Sequence, residues 1–212
     1  MIRQIQLYLL IGIFSALWLG LSAIELTIHS SLHPVYALAS SFSAAVFGVF
    51  MALLLFDLWL WRLRLVPRWM ADRPVLDGTW RAELTVVWRD KDGSERDTAF
   101  DGHMVVYQRY STVSMRLMTD TSYSRLIASE LTAEKDQSYT FGAVYQATPS
   151  LEARRMQDRR IHYGGMILVC QGRLPDMLHG HFWTDEFSRG TIRLTARWSA
   201  RHFGSFAAAQ AA

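Results

Sequence analysis

Two long apolar runs near the N-terminus dominate the hydropathy pattern of the chain. Residues 5–28 contain one charged residue, Glu25, and residues 35–60 contain one, Asp57, each close to the end of its run. Each run exceeds the roughly 20 residues that cross about 30 Å of hydrocarbon, and each is apolar on all sides. The pattern therefore predicts a hairpin of two transmembrane helices over residues 1–62.

The charges that flank the hairpin predict its orientation. Four arginines follow the second run, at positions 62, 64, 68 and 73, whereas the loop 29–34 carries no fixed charge. The positive-inside rule then places both termini in the cytoplasm. A cleaved signal peptide is the alternative for the first run, but a second span follows at once, which favours an anchor.

Small residues recur along both spans and allow helix backbones to approach closely. They are Gly12, Ser15, Ala16, Gly20 and Ala23 on the first span, and Ser40, Ser43, Ala44 and Gly48 on the second. The pattern fits packing within one hairpin and fits association between chains equally well, so both interpretations remain open.

After a linker at 63–75, which contains two helix-stopping prolines, the period of the pattern changes to two. Trp80, Ala82 and Leu84 alternate with polar residues, as expected of a strand with one buried face. Seven similar segments follow, at 98–107, 112–118, 124–132, 138–146, 161–170, 178–183 and 191–198. Eight closely spaced strands predict an all-β domain over 76–200, an eight-stranded antiparallel up-and-down β-barrel, with a two-sheet sandwich as the alternative.

Two segments of this domain are not predicted to be strands. Residues 148–160 hold Arg154, Arg155, Arg159 and Arg160, and this charge favours a surface loop or short helix whose role stays open. The tail at 201–212 ends in an alanine-rich stretch and is expected to be poorly ordered.

Charge and cysteine content narrow the classes of partner. All but one of the 22 Lys and Arg residues, and all but two of the 19 acidic residues, follow Trp61. This mild positive balance argues against a DNA or RNA polymer as partner and is compatible with a small anionic ligand. The single cysteine, Cys170, permits no internal disulfide, which agrees with a reducing cytoplasm.

The sequence contains no recognisable catalytic set. It has no glycine-rich phosphate loop, no Gly-x-Ser-x-Gly elbow and no His-Glu-x-x-His motif. His179 and His181 would share one face of a strand, but two histidines are half of a zinc site. We therefore expect neither an enzyme nor a metal protein.

A binding pocket is better supported, because small hydroxyl side chains are dense in the middle strands. They are Ser111, Thr112, Ser114, Thr119, Thr121, Ser122 and Ser124. Arginine, glutamine and aromatic side chains accompany them at Gln108, Arg116, Tyr145, Tyr163 and Trp183. Arginine pairs with phosphate and aromatic rings stack on bases, so this set suits a nucleotide. The alternative is that the hydroxyls face water and the aromatic rings are core.

Several short motifs occur in a characteristic order after the two spans. They are Leu-Asp-Gly-Thr-Trp at 76–80, Thr119 with the pair Ser122 and Ser124, His-Tyr-Gly-Gly at 162–165, Leu-His-Gly-His-Phe-Trp-Thr at 178–184 and Arg-Gly-Thr-Ile-Arg-Leu at 189–194. In this order the chain resembles the two-transmembrane β-barrel effector family of the bacterial CBASS antiphage systems.

The resemblance implies a mechanism. A partner nucleotidyltransferase of the CD-NTase class makes a cyclic nucleotide on phage infection, and the cytoplasmic barrel binds it as a cyclic dinucleotide, with no other cofactor. Bound effectors associate as homo-oligomers through the hairpin and disrupt the lipid of the bacterial inner membrane.

The resemblance also implies ligand-binding residues. Thr119, Ser122, Ser124, Tyr163, Trp183 and Arg189 occupy the motif positions, and Gln108, Arg116 and Tyr145 are added on chemical grounds. Two other classes remain as alternatives: a membrane-tethered carrier of lipid or another small hydrophobe, and a purely structural membrane protein.

Overall fold

Two long apolar helices occupy the N-terminal part of the protein. The structure is a computed structural model and describes residues 4–28, 33–89, 92–157, 160–199 and 202–212. Helix α1 spans Gln4–Ile28, α2 spans Pro34–Leu58, and a short 3-10 turn follows at Leu60–Arg62. Both helices are long and apolar enough to cross a membrane, which is consistent with membrane association. Most of the predicted loop at 29–34 lies outside the described residues, and so do Arg159 and Arg201.

Polar side chains join the two helices along their contact. Trp18 Nε1 donates to the carbonyl of Leu38 at 2.8 Å, and the hydroxyls of Ser22 and Ser41 lie 2.6 Å apart. Ser40 also donates to the Glu25 carboxylate. Such bonds matter in a bilayer, because lipid offers polar groups no partners. The helices therefore form one hydrogen-bonded hairpin.

Some of the small residues lie at the contact between α1 and α2, and others face away from it. Ala37, Ser41 and Ala45 are buried, and a methyl group added at Gly48 would meet Leu17. A methyl group at Gly12 or Gly20 would meet no other atom within 4 Å. Part of the small-residue pattern thus packs the hairpin, and part faces away from it.

The remainder of the chain, after Ala71, forms a second unit built around a closed antiparallel barrel. Each strand pairs with the next and β8 pairs with β1, so the up-and-down barrel is confirmed and the sandwich is excluded. The strands are β1 Gly78–Arg89, β2 Glu95–Gln108, β3 Val113–Met118, β4 Ser122–Ala133, β5 Ser138–Pro149, β6 His162–Gln171, β7 Leu178–Thr184 and β8 Arg189–Trp198. Two short helices accompany them, α3 Leu151–Gln157 and α4 Phe206–Gln210.

Alternation along each strand fills the barrel with apolar side chains. In β1, Trp80, Ala82 and Leu84 are buried, whereas Arg81 and Glu83 are exposed. One close approach requires glycine: a Cβ at Gly180 would lie 1.8 Å from the carbonyl oxygen of Ile167 on the neighbouring strand. The core therefore follows the period-2 pattern of the sequence.

One end of the barrel is closed by the segment that enters it, residues 74–77, here called the plug. The indole Nε1 of Trp80 donates to the carbonyl of Leu76 at 2.8 Å. The side chain of Gln108 accepts from Leu76 N at 2.7 Å and donates to the carbonyl of Pro74 at 2.8 Å. Gln108 thus satisfies the buried backbone of the plug.

The C-terminal residues 202–212, here called the strap, pack on the outside of the barrel, whereas the sequence predicted a poorly ordered tail. Arg116 donates to the carbonyls of Phe203 and Gly204 at 3.2 and 3.3 Å. The ring of Phe203 meets Trp198, and the ring of Phe206 meets His103. These contacts explain the difference, because they anchor an alanine-rich segment through its aromatic residues and its backbone carbonyls.

His103 lies under the strap and predicts a dependence of stability on pH. Its side chain is 6% exposed and its Nδ1 has no hydrogen-bond partner among the described residues. Burial lowers the pKa of His103, Arg81 lowers it further, and Asp101 opposes them. Since the unfolded state binds the proton at higher pH than the folded state does, the free energy of unfolding should decrease as pH drops below about 6.5.

Replacing His103 by phenylalanine should remove this part of the pH dependence. The test compares melting temperatures at pH 7.5 and 5.5 for the wild type, His103→Phe and a control, His179→Gln, at an exposed position on β7. An equal loss of stability on acidification in all three proteins would show that His103 does not carry the effect.

Candidate ligand-binding cavity

A cavity of about 590 Å³ opens at the end of the barrel opposite the plug. Its volume lies within the range of small-molecule sites. Its inner wall is apolar and includes Leu84, Phe100, Met104, Met166 and Phe182. Hydroxyl-bearing side chains gather nearer the mouth: Thr98, Thr119, Thr121, Ser122, Ser124, Tyr145, Thr184 and Ser188. The cavity therefore offers apolar surface and many hydrogen-bonding groups to one ligand.

The turn between β3 and β4 forms one side of the mouth and is tightly hydrogen-bonded. Thr119 N donates to the carbonyl of Ser122 at 2.8 Å, and Ser122 N donates to Thr119 Oγ1 at 3.0 Å. The two hydroxyls lie 3.0 Å apart. Ser150 N also donates to the carbonyl of Thr121 at 2.7 Å. The turn thus holds its side chains in place before any ligand arrives.

Ser124 and Tyr145 face the cavity from adjacent strands. Leu117 N donates to Ser124 Oγ at 3.2 Å, which ties this hydroxyl to β3. The ring of Tyr145 lies against Gly164, where a Cβ would come within 2.5 Å of it. Burial, and to a smaller extent Asp185, raises the pKa of Tyr145 to about 12. Its phenol therefore stays protonated at neutral pH and can donate a hydrogen bond.

Four of the nine residues predicted to bind ligand thus line the cavity: Thr119, Ser122, Ser124 and Tyr145. Two others have structural partners elsewhere, because Gln108 holds the plug and Arg116 holds the strap. The alternation of β3 directs Met115 inward and Arg116 outward.

The last three predicted residues lie on the outer face of the barrel. Tyr163 and Trp183 are about half exposed, and the indole of Trp183 covers Gly165. Arg189 pairs with Glu95 at 3.1 Å. For these residues, as for Gln108 and Arg116, a role in ligand binding stays a prediction.

Several residues of the cavity were not among the predicted ligand-binding residues, and three of them carry an aromatic ring or a basic group. Trp88 and Arg89 line it from the end of β1, and His162 lines it from the start of β6, with Nδ1 3.7 Å from the Glu186 carboxylate. The alternation of β1 already placed Trp88 on the buried face. The sequence did not indicate Arg89. This residue reaches the cavity because the barrel closes, which places the end of β1 beside the start of β8.

The described residues contain no group of three or more His, Cys, Asp or Glu side chains able to hold a metal ion. His179 and His181 are both exposed on β7, pointing away from the barrel interior.

The barrel is closed, and polar side chains surround the mouth of the cavity at one end. This architecture is typical of barrels that bind a small ligand. The family model of the Cap15 cyclic dinucleotide receptor domain matches residues 71–196, and the chain belongs to this family. The effector family predicted from the sequence is thereby confirmed, and the barrel is a cyclic dinucleotide receptor domain.

No curated protein matches the chain. Among solved structures, a redesigned β-barrel is 13% identical with a TM-score of 0.23, covering 57% of this chain and 91% of the other. The assignment therefore rests on the family model.

Proposed function

We propose that the cavity binds the cyclic dinucleotide that the receptor domain senses, and that the protein is a membrane-anchored effector of CBASS defence rather than an enzyme. The observation that carries the proposal is the meeting of Thr119, Ser122, Ser124 and Tyr145 in one cavity of a receptor domain. A carrier of lipid would be expected to present only apolar side chains there. The inward hydroxyls and phenol favour a nucleotide, and so does Arg89, which is exposed at the rim of the mouth.

The lining side chains have complementary roles in this proposal. Trp88 and Tyr145 offer aromatic rings for stacking on the two bases. The hydroxyls of Thr119, Ser122 and Ser124 bond base edges or ribose. Arg89 carries the guanidinium at the mouth, where Glu95 approaches it no closer than 4.0 Å, and pairs with phosphate.

The predicted residues on the outer face have a second role. Trp183 and Arg189 are directly opposite each other on β7 and β8, and Tyr163 lies on the adjacent β6. We propose that this outer face contacts a second copy of the chain when bound effectors associate. Gln108 and Arg116 then support the fold through the plug and the strap.

In this proposal the hairpin of helices α1 and α2 acts on the membrane. It spans the bacterial inner membrane with both termini in the cytoplasm, and the open faces at Gly12 and Gly20 allow hairpins to associate and disrupt the bilayer. A ligand drives this association only as far as it binds the associated state more tightly. A CD-NTase partner provides the ligand.

One experiment tests both receptor and output. The full-length protein is reconstituted into dye-loaded lipid vesicles, and cyclic di- and trinucleotides are added one at a time. One cyclic dinucleotide at 100 times its dissociation constant should stabilise the barrel by about 2.7 kcal/mol, a shift of several degrees, and should release dye. Ser124→Ala should weaken both effects.

The two readouts separate the two parts of the proposal. No melting shift with any nucleotide, in a folded protein, would overturn the receptor assignment for this cavity and favour the lipid-carrier or structural classes. A shift without dye release would overturn the membrane mechanism alone.

A further inference from the structure

The charged side chains of the cavity do not match a purely anionic ligand. Asp120 and Glu186 line it together with Arg89 and His162. A cyclic dinucleotide carries two negative phosphates, and a carboxylate near them is repelled unless it accepts hydrogen bonds from the ligand. A carboxylate in this cavity therefore indicates that the bases of the ligand carry hydrogen-bond donors that face it.

The carboxylates of Asp120 and Glu186 differ in whether another side chain of the protein bonds them. Glu186 lies beside His162, at 3.7 Å. Asp120 has no hydrogen-bond or ion-pair partner among the residues that the structure describes, although it sits in the turn fixed by Thr119 and Ser122. The backbone that carries Asp120 is thus pre-organised, while both carboxylate oxygens stay available to a ligand.

The geometry of a carboxylate selects one base. Two adjacent donors, N1–H and the 2-amino group, lie on the Watson–Crick edge of guanine and match the two oxygens of a carboxylate. Adenine, cytosine and uracil each place acceptors beside a single donor group on that edge. We propose that Asp120 binds the Watson–Crick edge of a guanine, and that the ligand contains at least one guanine. This inference rests on the proposed function.

The test uses the full-length protein in lipid nanodiscs and titration calorimetry. The ligands are cyclic di-GMP, cyclic GMP–AMP, cyclic di-AMP, cyclic di-UMP and cyclic di-IMP, whose hypoxanthine lacks the 2-amino group. At least one guanine-containing ligand should bind about 10- to 100-fold more tightly than its guanine-free counterparts, hypoxanthine included, as expected for a hydrogen bond to a charged group.

The variant Asp120→Asn isolates the side chain, because an amide keeps the shape but presents a donor to the base. It should lose the preference for guanine while its affinity for cyclic di-AMP is unchanged or raised. The control, Glu152→Gln, removes an exposed carboxylate on α3 that does not line the cavity, and should retain the preference.

The outcomes distinguish this inference from the function on which it rests. If no cyclic dinucleotide binds the wild type, the proposed function fails. If several bind without regard to guanine, or if Asp120→Asn keeps the full preference, only the guanine inference is overturned.

Discussion

Replacing Ala147 by tryptophan is expected to abolish ligand binding while the barrel stays folded. Ala147 is 6% exposed, faces inward on β5 and lies directly opposite Ser124 on β4. The indole would enter the cavity of about 590 Å³, where space is available, and would occupy the volume that the ligand needs. All polar groups of the mouth remain, so a loss of more than about 100-fold, or about 2.7 kcal/mol, reports exclusion of the ligand.

The matched control for this variant is on the same strand. Val144→Trp places an indole on the outer face of β5, at a side chain that is 48% exposed, and should leave affinity unchanged. Calorimetry with the cyclic dinucleotide of the nanodisc panel that binds the wild type most tightly measures both variants, and circular dichroism confirms that each is folded. Wild-type affinity in a folded Ala147→Trp protein would mean that the ligand binds elsewhere.

Replacing Trp80 by alanine is expected to be the most destabilising single change in the barrel. Trp80 is fully buried, donates to the carbonyl of Leu76 and lies under the guanidinium of Arg197, 5.2 Å from its ring centre. Truncation of a buried tryptophan leaves a cavity and costs about 3–5 kcal/mol. Here it also removes the hydrogen bond to the plug, so we expect the upper part of that range.

Trp183→Ala provides the comparison, because the same side chain is removed from the outer face, where it is 47% exposed. Its cost should be at most about half as large. Thermal melting of both variants in nanodiscs measures the difference, which at a few degrees per kcal/mol is easily resolved. Equal destabilisation would contradict the role given to the plug.

The fold could be predicted because its signals are local. Apolar runs of sufficient length gave the two helices, and alternation of apolar and polar residues gave the eight strands. The same alternation also assigns side chains to faces: Met115 and Leu117 point inward, so Arg116 between them points outward. The density of hydroxyls pointed to residues 119–124, several of which line the cavity, but it carried no information on which face each side chain occupies.

The rest of the site depends on contacts that are distant in the sequence. Arg89 and Glu186 meet at one cavity only because β8 closes on β1. The order of the strap depends likewise on Arg116, which is 87 residues away from the Phe203 carbonyl that it binds. Composition alone could not reveal either arrangement.

The links between the strands lie alternately at the closed end of the barrel and at its mouth. The chain enters at the plug and leaves through the strap near the same end, whereas the mouth consists of the links β1–β2, β3–β4, β5–β6 and β7–β8. Turns at the mouth can therefore be exchanged without altering the covalent connection to the helices or the docking of the C-terminus. Under the proposed function, relatives can diverge in ligand preference on an unchanged scaffold, and grafted mouth turns become a route to biosensors for other nucleotides.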